Sequence, residues 1–413
     1  MDITLNNRKL TGTVKVIQSK SFAHRIMLSA ALAEITSGTK TEVLLDNDSE
    51  DIRATRRVIA SLGEGAELLD CGESGTTFRF IVPICAALGR REETRFTGHG
   101  RLLQRPMGPL MEAMEPHGVS FKYEEDALVC RGRLTPGEYT IAANVSSQYI
   151  SGLLFALPLL EGDSVLNLTG TIESRPYIDI TLDVLKDFGI EIQEPEIGRF
   201  LIPGGQVYRG PAEMEVEGDW SNAAFWLAAG AIGGKPVTVT GLKLDSVQGD
   251  KAICDVLRGF GAILTEDASV GSVTCSGSAE GGLKGFDIDV KDIPDAVPII
   301  SVVAAAAEGN TKIYNAGRLR IKESDRLVTV AAMLTALGAE AEEGEDYLII
   351  HGKGGTSASE YPLKGGFVDG ANDHRIVMSG AVAAALCEGP VTILGAQAVN
   401  KSYPGFFEER ENL

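Results

Sequence analysis

The chain has 413 residues, 44% of them hydrophobic, with 57 acidic against 38 basic side chains and a formal net charge of −19. That length exceeds one ordinary hydrophobic core and predicts two domains. The charge argues against a nucleic-acid or anionic-membrane partner, because counterion release needs a basic face. Any basic cluster in such a chain stands out.

In chain order, Ile3 to Leu5 and the run LTGTVKV over 10–16 read as a strand pair ahead of the first helix. The opening MDITLNNRKL lacks the apolar core of a signal peptide. The longest apolar runs, 153–160 and 296–307, are too short or too small-sided to span a bilayer. A strand-like run, a polar turn and a small-residue apolar helix then recur six times. The turns fall at Lys20-Ser21, Ser74-Gly75, Ser146-Ser147, Trp220-Ser221, Pro294-Asp295 and Asp373-His374. A period of about 55 to 80 residues is long for a solenoid but suits one βαβ-type unit. A second helix in each repeat is expected to stop at Gly63, Gly118, Gly189, Gly261 or Gly338, with glycine just past the last turn. Each unit therefore reads strand, helix, strand, helix and a strand pair. The Gly281-Gly282 and 352–355 (GKGG) stretches read as hairpin turns.

The sixth unit begins its second helix near Tyr403-Pro404-Gly405 and lacks a final strand pair, which the N-terminal strands are expected to supply. The predicted domains are 15–215, with three units, and 1–14 plus 216–413, with the other three. The chain then passes between them twice, near Val16 and Val216. The scattered Cys71, Cys85, Cys130, Cys254, Cys275 and Cys387 show no CxxC and read as free thiols in a reducing compartment, so the expected location is cytoplasmic.

Six helix starts opened by Ser, Thr, Asp or Asn are potential anion sites. The first repeat places Lys20, Ser21 and Arg25 there; the second places Gly75, Thr76 and Arg79, followed by Arg105 ahead of a proline. The third gives Ser146, Ser147 and Gln148, then Ser174, Arg175 and Tyr177. Taken singly, each is a helix cap or a surface charge. Equivalent positions of several repeats carrying such groups are harder to explain that way. Asp295 opens an apolar helix, and RLRIKESDRL packs Arg318, Arg320, Lys322, Glu323, Asp325 and Arg326 closely together. Asp373, His374, Arg375 and Lys401 follow. No HExxH spacing, GxSxG elbow or GxxxxGK[ST] loop is present, so zinc-protease, serine-hydrolase and P-loop chemistries find no support; HGKGGTS lacks the P-loop spacing.

SKS with Arg25, SGTT with Arg79, Arg105-Pro106, SSQ, SRPYIDIT, PDA, KESDR, NDHR and NKSYPGFF occur in an order that resembles the 5-enolpyruvylshikimate-3-phosphate synthase family over nearly the whole chain. The resemblance implies an α/β fold of the enolpyruvyl transferase type. This is a pseudo-sixfold, inside-out α/β barrel arrangement of six βαβαββ units, three per domain, with the active site in the cleft between domains. It implies transfer of the carboxyvinyl group of phosphoenolpyruvate to the 5-hydroxyl of shikimate 3-phosphate, without metal or cofactor. Carried over, Lys20, Ser21, Arg25, Ser146, Ser147, Gln148, Ser174, Tyr177, Asp295, Arg318 and Lys322 would bind shikimate 3-phosphate. Lys20, Gly75, Arg105, Gln148, Arg326, Arg375 and Lys401 would bind phosphoenolpyruvate. Asp295 would take the hydroxyl proton, Glu323 would protonate the methylene carbon, and Lys20 would assist. The expected partners are these two small anions, with the chain acting as a monomer and engaging neither nucleic acid nor membrane.

Departures from the family pattern are Gln18 for glycine, Glu73 for asparagine, Arg318 where some members carry asparagine, and the bulky Phe80 after Arg79. The related UDP-N-acetylglucosamine enolpyruvyl transferases carry Lys-Asn where this chain has Lys20-Ser21, and a reactive cysteine where the loop here reads GHGRLLQRP. A non-catalytic anion binder would gain nothing from carboxylates such as Asp295 and Glu323 beside its ligands.

Overall fold

The computed structural model describes residues 1–278, 281–354 and 361–413. The chain divides into two compact units, one formed by 20–216 and the other by 1–19 with 217–413. In each, helices that are apolar all round are buried, as helices without a polar face must be. In the first unit the helix Gly75–Leu88 packs along Ser147–Ala156. Gly152 permits this, since a Cβ there would strike the carbonyl of Arg79. In the second, Trp220–Gly233, Val297–Ala306 and His374–Ala383 pack on one another. Every residue of Trp220–Gly233 is buried.

Four repeats carry a four-stranded sheet of one design, in which two parallel strands are followed by an antiparallel pair. In the second repeat Leu68–Asp70 runs parallel to Glu93–Thr97, and Ala127–Gly132 returns antiparallel between the latter and Val119–Tyr123. Glu138–Ala142 with Ser164–Thr169, and Ile288–Asp289 with Glu308–Tyr314, repeat the parallel step. The N-terminal strands do not stay together as a pair. Ile3–Leu5 joins the last repeat, antiparallel to Val391–Leu394, whereas Gly12–Lys15 lies parallel to Val237–Thr240 and leads the fourth. Reciprocally, Glu213–Glu215, at the end of the third repeat, lies parallel to Glu42–Leu44 and leads the first. The two repeats that follow the chain crossings have thus exchanged leading strands. Gln248 secures the exchange: its Oε1 accepts from Ser19 Oγ (3.1 Å) and the Trp220 amide (3.1 Å), and its Nε2 donates to Glu217 Oε1 (2.6 Å) and the Gly218 carbonyl (2.8 Å).

Gly118, Gly189, Gly261 and Gly338 stand in the left-handed region at helix ends, as the sequence pattern expects. Gly63 does not. It lies inside the helix Glu50–Glu64, which stops at Gly65 (φ 71°). Gly352 is likewise in a strand, Leu348–Lys353, and Gly281-Gly282 lies on the passage from one sheet to the next instead of in a hairpin; Gly355, with Thr356 and Ser357 of HGKGGTS, lies outside the described residues. All six cysteines are buried as free thiols. Among the described residues no helix is long and apolar enough to cross a membrane.

Candidate active site

In the unit 20–216, the conspicuous polar side chains gather at the starts of the three buried helices. Lys20 begins the helix Lys20–Ser37, and its Nζ lies 2.7 Å from Asp51 Oδ2. One turn on, Arg25 is almost fully buried. Among the described residues its partners are all neutral: Thr181 Oγ1 (2.7 Å), Ser151 Oγ (3.3 Å), and the carbonyls of Ser21 (2.7 Å) and Tyr177 (2.9 Å). Its guanidinium also sits over the Phe80 ring at 5.0 Å, which gives the departure at Phe80 a packing role. Burial lowers Arg25 to about 9, still protonated at neutral pH. A buried cation with neutral partners is the condition under which a bound anion is most strongly favoured.

The helix Gly75–Leu88 is capped by Ser74, whose side chain accepts from the Thr77 amide. Its first residue has no side chain, and the Arg105 guanidinium fills that space: a Cβ on Gly75 would stand 2.5 Å from Arg105 Nη1. Gln148, on the helix Ser147–Ala156, donates to Thr76 Oγ1 (2.8 Å) and accepts from Arg79 Nη1 (2.7 Å). Thr76 and Arg79 thus orient the amide, and Arg79 is itself fixed by the Pro106 carbonyl (3.2 Å) and the Tyr149 ring. Ser146 caps this helix, and Ser147, its first residue, is buried. Ser174, which opens Arg175–Asp187, is buried and adopts φ 54°, a conformation costly for a residue with a Cβ. The neighbouring Arg175 belongs elsewhere, paired with Asp179 and Glu194. Glu73 stands against Gly100, where a Cβ would come within 2.9 Å of the carboxylate.

The other unit holds a denser constellation. Asp295, on the 3-10 turn Pro294–Ala296, accepts at Oδ1 from Lys322 Nζ (3.2 Å) and Arg326 Nη1 (2.8 Å), and at Oδ2 from Arg375 Nη2 (3.2 Å). Arg375 also bonds the Asp295 carbonyl (3.1 Å). Burial alone would raise the Asp295 carboxyl; Arg375, Lys322 and Arg326 together hold it well below the usual range. Arg326 reaches Glu323 Oε2 at 2.6 Å and the fully buried Asp373 at 2.8 Å. Burial opposes its charge, but Asp373, Glu323 and Asp295 outweigh burial and fix it. Lys322 is lowered, first by burial and then by Arg318 and Arg326, against the pull of Asp295. Arg318 lies on the same 3-10 turn, Gly317–Ile321, as Arg320. Arg320 turns away to Asp325 and Glu343. Lys401 Nζ bonds the Asn372 carbonyl at 2.9 Å. That carbonyl is offered by a strained loop in which Ala371 (φ 49°) and Asn372 (φ 52°) are both left-handed.

The helix starts follow the expected polar capping in four places, at Ser74, Ser146, Asp219 and Asp373. The fifth opens as a 3-10 turn after Ile293, and Ser19 bonds Gln248 at the first. Sequence reasoning missed Asp51, Ser151, Thr181 and Asp250. Asp51 reads as an ordinary first-turn acid of its helix; Ser151 and Thr181 meet Arg25 from another repeat, and Asp250 feels Asp295 and Arg375 from two others, so local spacing carries no signal.

Comparison with known proteins identifies the family. The model of the EPSP synthase (3-phosphoshikimate 1-carboxyvinyltransferase) family matches residues 64–409. A 3-phosphoshikimate 1-carboxyvinyltransferase of Clostridium kluyveri is 40% identical over 100% of this chain and 97% of its own length; that of Clostridium acetobutylicum is 40% identical with the same coverage. The solved EPSP synthase of Acinetobacter baumannii superposes with a TM-score of 0.81 at 27% identity, covering 100% of this chain and 97% of that one. The enolpyruvyl transferase NikO of Streptomyces tendae, at 18% identity and a TM-score of 0.78, shares the fold over 100% of this chain and 96% of its own. With its repeats, its ordered motifs and full-length relatives in agreement, the chain belongs to the EPSP synthase family.

Proposed function

We propose that the chain transfers the carboxyvinyl group of phosphoenolpyruvate to the 5-hydroxyl of shikimate 3-phosphate and releases phosphate, within the shikimate pathway. The observation that carries the residue assignment is Asp295 held by Lys322, Arg326 and Arg375, with Glu323 on the same Arg326. Two carboxyl groups share one set of cations there, as a reaction that both removes and delivers protons between anionic substrates requires.

Asp295 accepts the hydroxyl proton as that oxygen bonds to C2 of the donor, and Glu323 delivers a proton to the methylene carbon. A tetrahedral ketal results. Loss of a methyl proton and cleavage of the C2–O bond to phosphate then regenerate the double bond. With its carboxyl so depressed, Asp295 is a weak base until ligand anions share its cations. A donor carboxylate or phosphate engaging Arg375 and Arg326 weakens that hold and raises its basicity. Arg25, Ser21, Ser146, Ser147, Ser174, Tyr177, Lys322 and Arg318 are assigned to the acceptor. Gly75, Arg105, Arg326, Arg375 and Lys401 are assigned to the donor, with Lys20 and Gln148 serving both. Like charges about 5 Å apart repel by roughly 3 kcal/mol at an effective dielectric near 20, so two bound anions need this many cations. The six buried thiols support a reducing, cytoplasmic setting, and the chain is assigned as a monomer.

The test is phosphate release from phosphoenolpyruvate with shikimate 3-phosphate as acceptor, and separately with UDP-N-acetylglucosamine. Release with the first and none with the second is expected. The reverse pattern would move the chain to the sister activity, and release with neither would leave an anion binder.

A further inference from the structure

Asp250 lies outside the assigned machinery but next to it. It sits on the short 3-10 turn Gly249–Ala252, is 4% exposed, and accepts a short hydrogen bond from Ser221 Oγ in the first turn of Trp220–Gly233. That helix also packs against the Pro294–Ala296 turn that bears Asp295. The charges acting on Asp250 come from each of these directions: Asp295 from its turn, Arg375 from the helix His374–Ala383, and Asp219 from the cap of Trp220–Gly233. On its own turn the neighbour is Lys251, and in the following helix Ile253–Phe260 the exposed Asp255 and Arg258 pair with each other. A buried carboxyl therefore shares the field of Arg375 with Asp295.

We propose that Asp250 is a positioning residue for the donor, a built-in counter-charge that competes with the donor's anionic groups for Arg375, so that the donor is held most tightly when Asp250 carries a proton. The proposal rests on the reaction assigned above and on Arg375 as a donor ligand. It adds a proton-linked step that the assignment lacks. An ionised Asp250 stabilises Arg375 in the empty site and repels the incoming anion. A neutral Asp250 leaves Arg375 to the donor, and a bound donor in turn favours proton uptake by Asp250 from solvent. Burial first, and then Asp295, raise this carboxyl to about 6, so the exchange falls within an accessible pH range.

The experiment is the donor KM of the full chain from pH 5 to 8, for wild type and Asp250→Asn, expressed as their ratio. Ionisation of the donor's own phosphate is common to both proteins and cancels. The ratio of wild-type to variant KM is expected near unity at pH 5 and about tenfold at pH 8. A tenfold change corresponds to about 1.4 kcal/mol of repulsion between an ionised Asp250 and the bound donor. The transition should lie near pH 6, with kcat altered much less than KM. Ser221→Ala keeps the carboxyl but removes a hydrogen bond to its charged form, and should move the transition in wild-type KM to higher pH. A ratio constant with pH, or a donor KM raised by Asp250→Asn at every pH, overturns the proposal. If Asp250→Asn fails to fold, an unmoved transition in Ser221→Ala does so. Wild type that releases phosphate but shows a flat ratio refutes this step alone, whereas wild type without phosphate release refutes the assigned reaction.

Discussion

Arg326 is bonded to Asp295, Glu323 and Asp373, and those bonds decide what each carboxylate can do. Asp373 is fully buried, caps the helix His374–Ala383 through the Arg375 amide, and serves to hold Arg326 in place. Glu323 keeps one oxygen outside the Arg326 bond and is the less buried of the three. It is the group assigned above to protonate the methylene carbon. Replacing Glu323 by Gln preserves shape and hydrogen bonding but removes the acidic proton. Both substrates are expected to bind while turnover falls by roughly 10²- to 10⁴-fold, together with exchange of the donor's methylene hydrogens in heavy water. Normal exchange in this variant would pass the acid role to Lys20. The charged members of this cluster were legible in the sequence because KESDR and NDHR concentrate charge beside apolar helices. Asp250 was not, because its link to Asp295, 45 residues on in the sequence, runs through the helix Trp220–Gly233, against which both of their turns pack.

At the scale of elements, the starts of the buried helices carry many of the groups assigned above to the ligands, and at two of them the backbone shapes the position. Gly75 leaves room for the Arg105 guanidinium, so Gly75→Ala must displace it. The donor KM is expected to rise at least about tenfold, the scale on which a charged hydrogen bond is lost, while the melting temperature changes little. An unchanged donor KM would show that the position of Arg105 is immaterial to the donor. Ser174 takes φ 54° at the start of its helix. Ser174→Gly should relieve about 1 kcal/mol of backbone strain, partly offset by the entropy of glycine. It should therefore leave urea stability equal or higher while acceptor affinity drops. A loss of stability with acceptor affinity retained would mean that the hydroxyl serves the fold alone. Helix period and glycine stops made most elements readable. The end of Glu50–Glu64 was misplaced by two residues because Gly63 and Gly65 both offer a stop, and only Gly65 adopts the left-handed turn.

For the whole molecule, the sixfold recurrence was readable because each repeat must bury its own apolar helix, but the strand exchange was not. Gly12–Lys15 and Glu213–Glu215 each directly precede the first helix of the other unit in sequence, yet each pairs inside its own unit, with Val237–Thr240 and Glu42–Leu44, and no local pattern records which sheet a short strand will join. The exchange has a consequence for how the chain can be cut. Residues 20–216 contain both strands of their first sheet, so this fragment is expected to fold by itself with a cooperative urea transition. Residues 217–413 lack Gly12–Lys15 and Ile3–Leu5, which pair with Val237–Thr240 and Val391–Leu394, and lack Ser19, which bonds Gln248. That fragment should populate a non-cooperative state with exposed sheet edges. Supplying the missing segment in cis should restore it. The C-terminal carbonyl of Leu413 already accepts from the Thr11 amide at 3.1 Å, so the C-terminus lies beside the returning segment. A flexible linker can then lead from 413 back to residue 1, each residue spanning up to roughly 3.3–3.6 Å. The permuted chain 217–413, linker, 1–19 is expected to unfold in a single transition, and Gln248→Ala within it should lower the midpoint, since the buried Ser19 and Trp220 groups and the half-buried Glu217 would lose their shared partner. A cooperative transition in 217–413 without the N-terminal strands would show that the exchanged strand adds little to that fold.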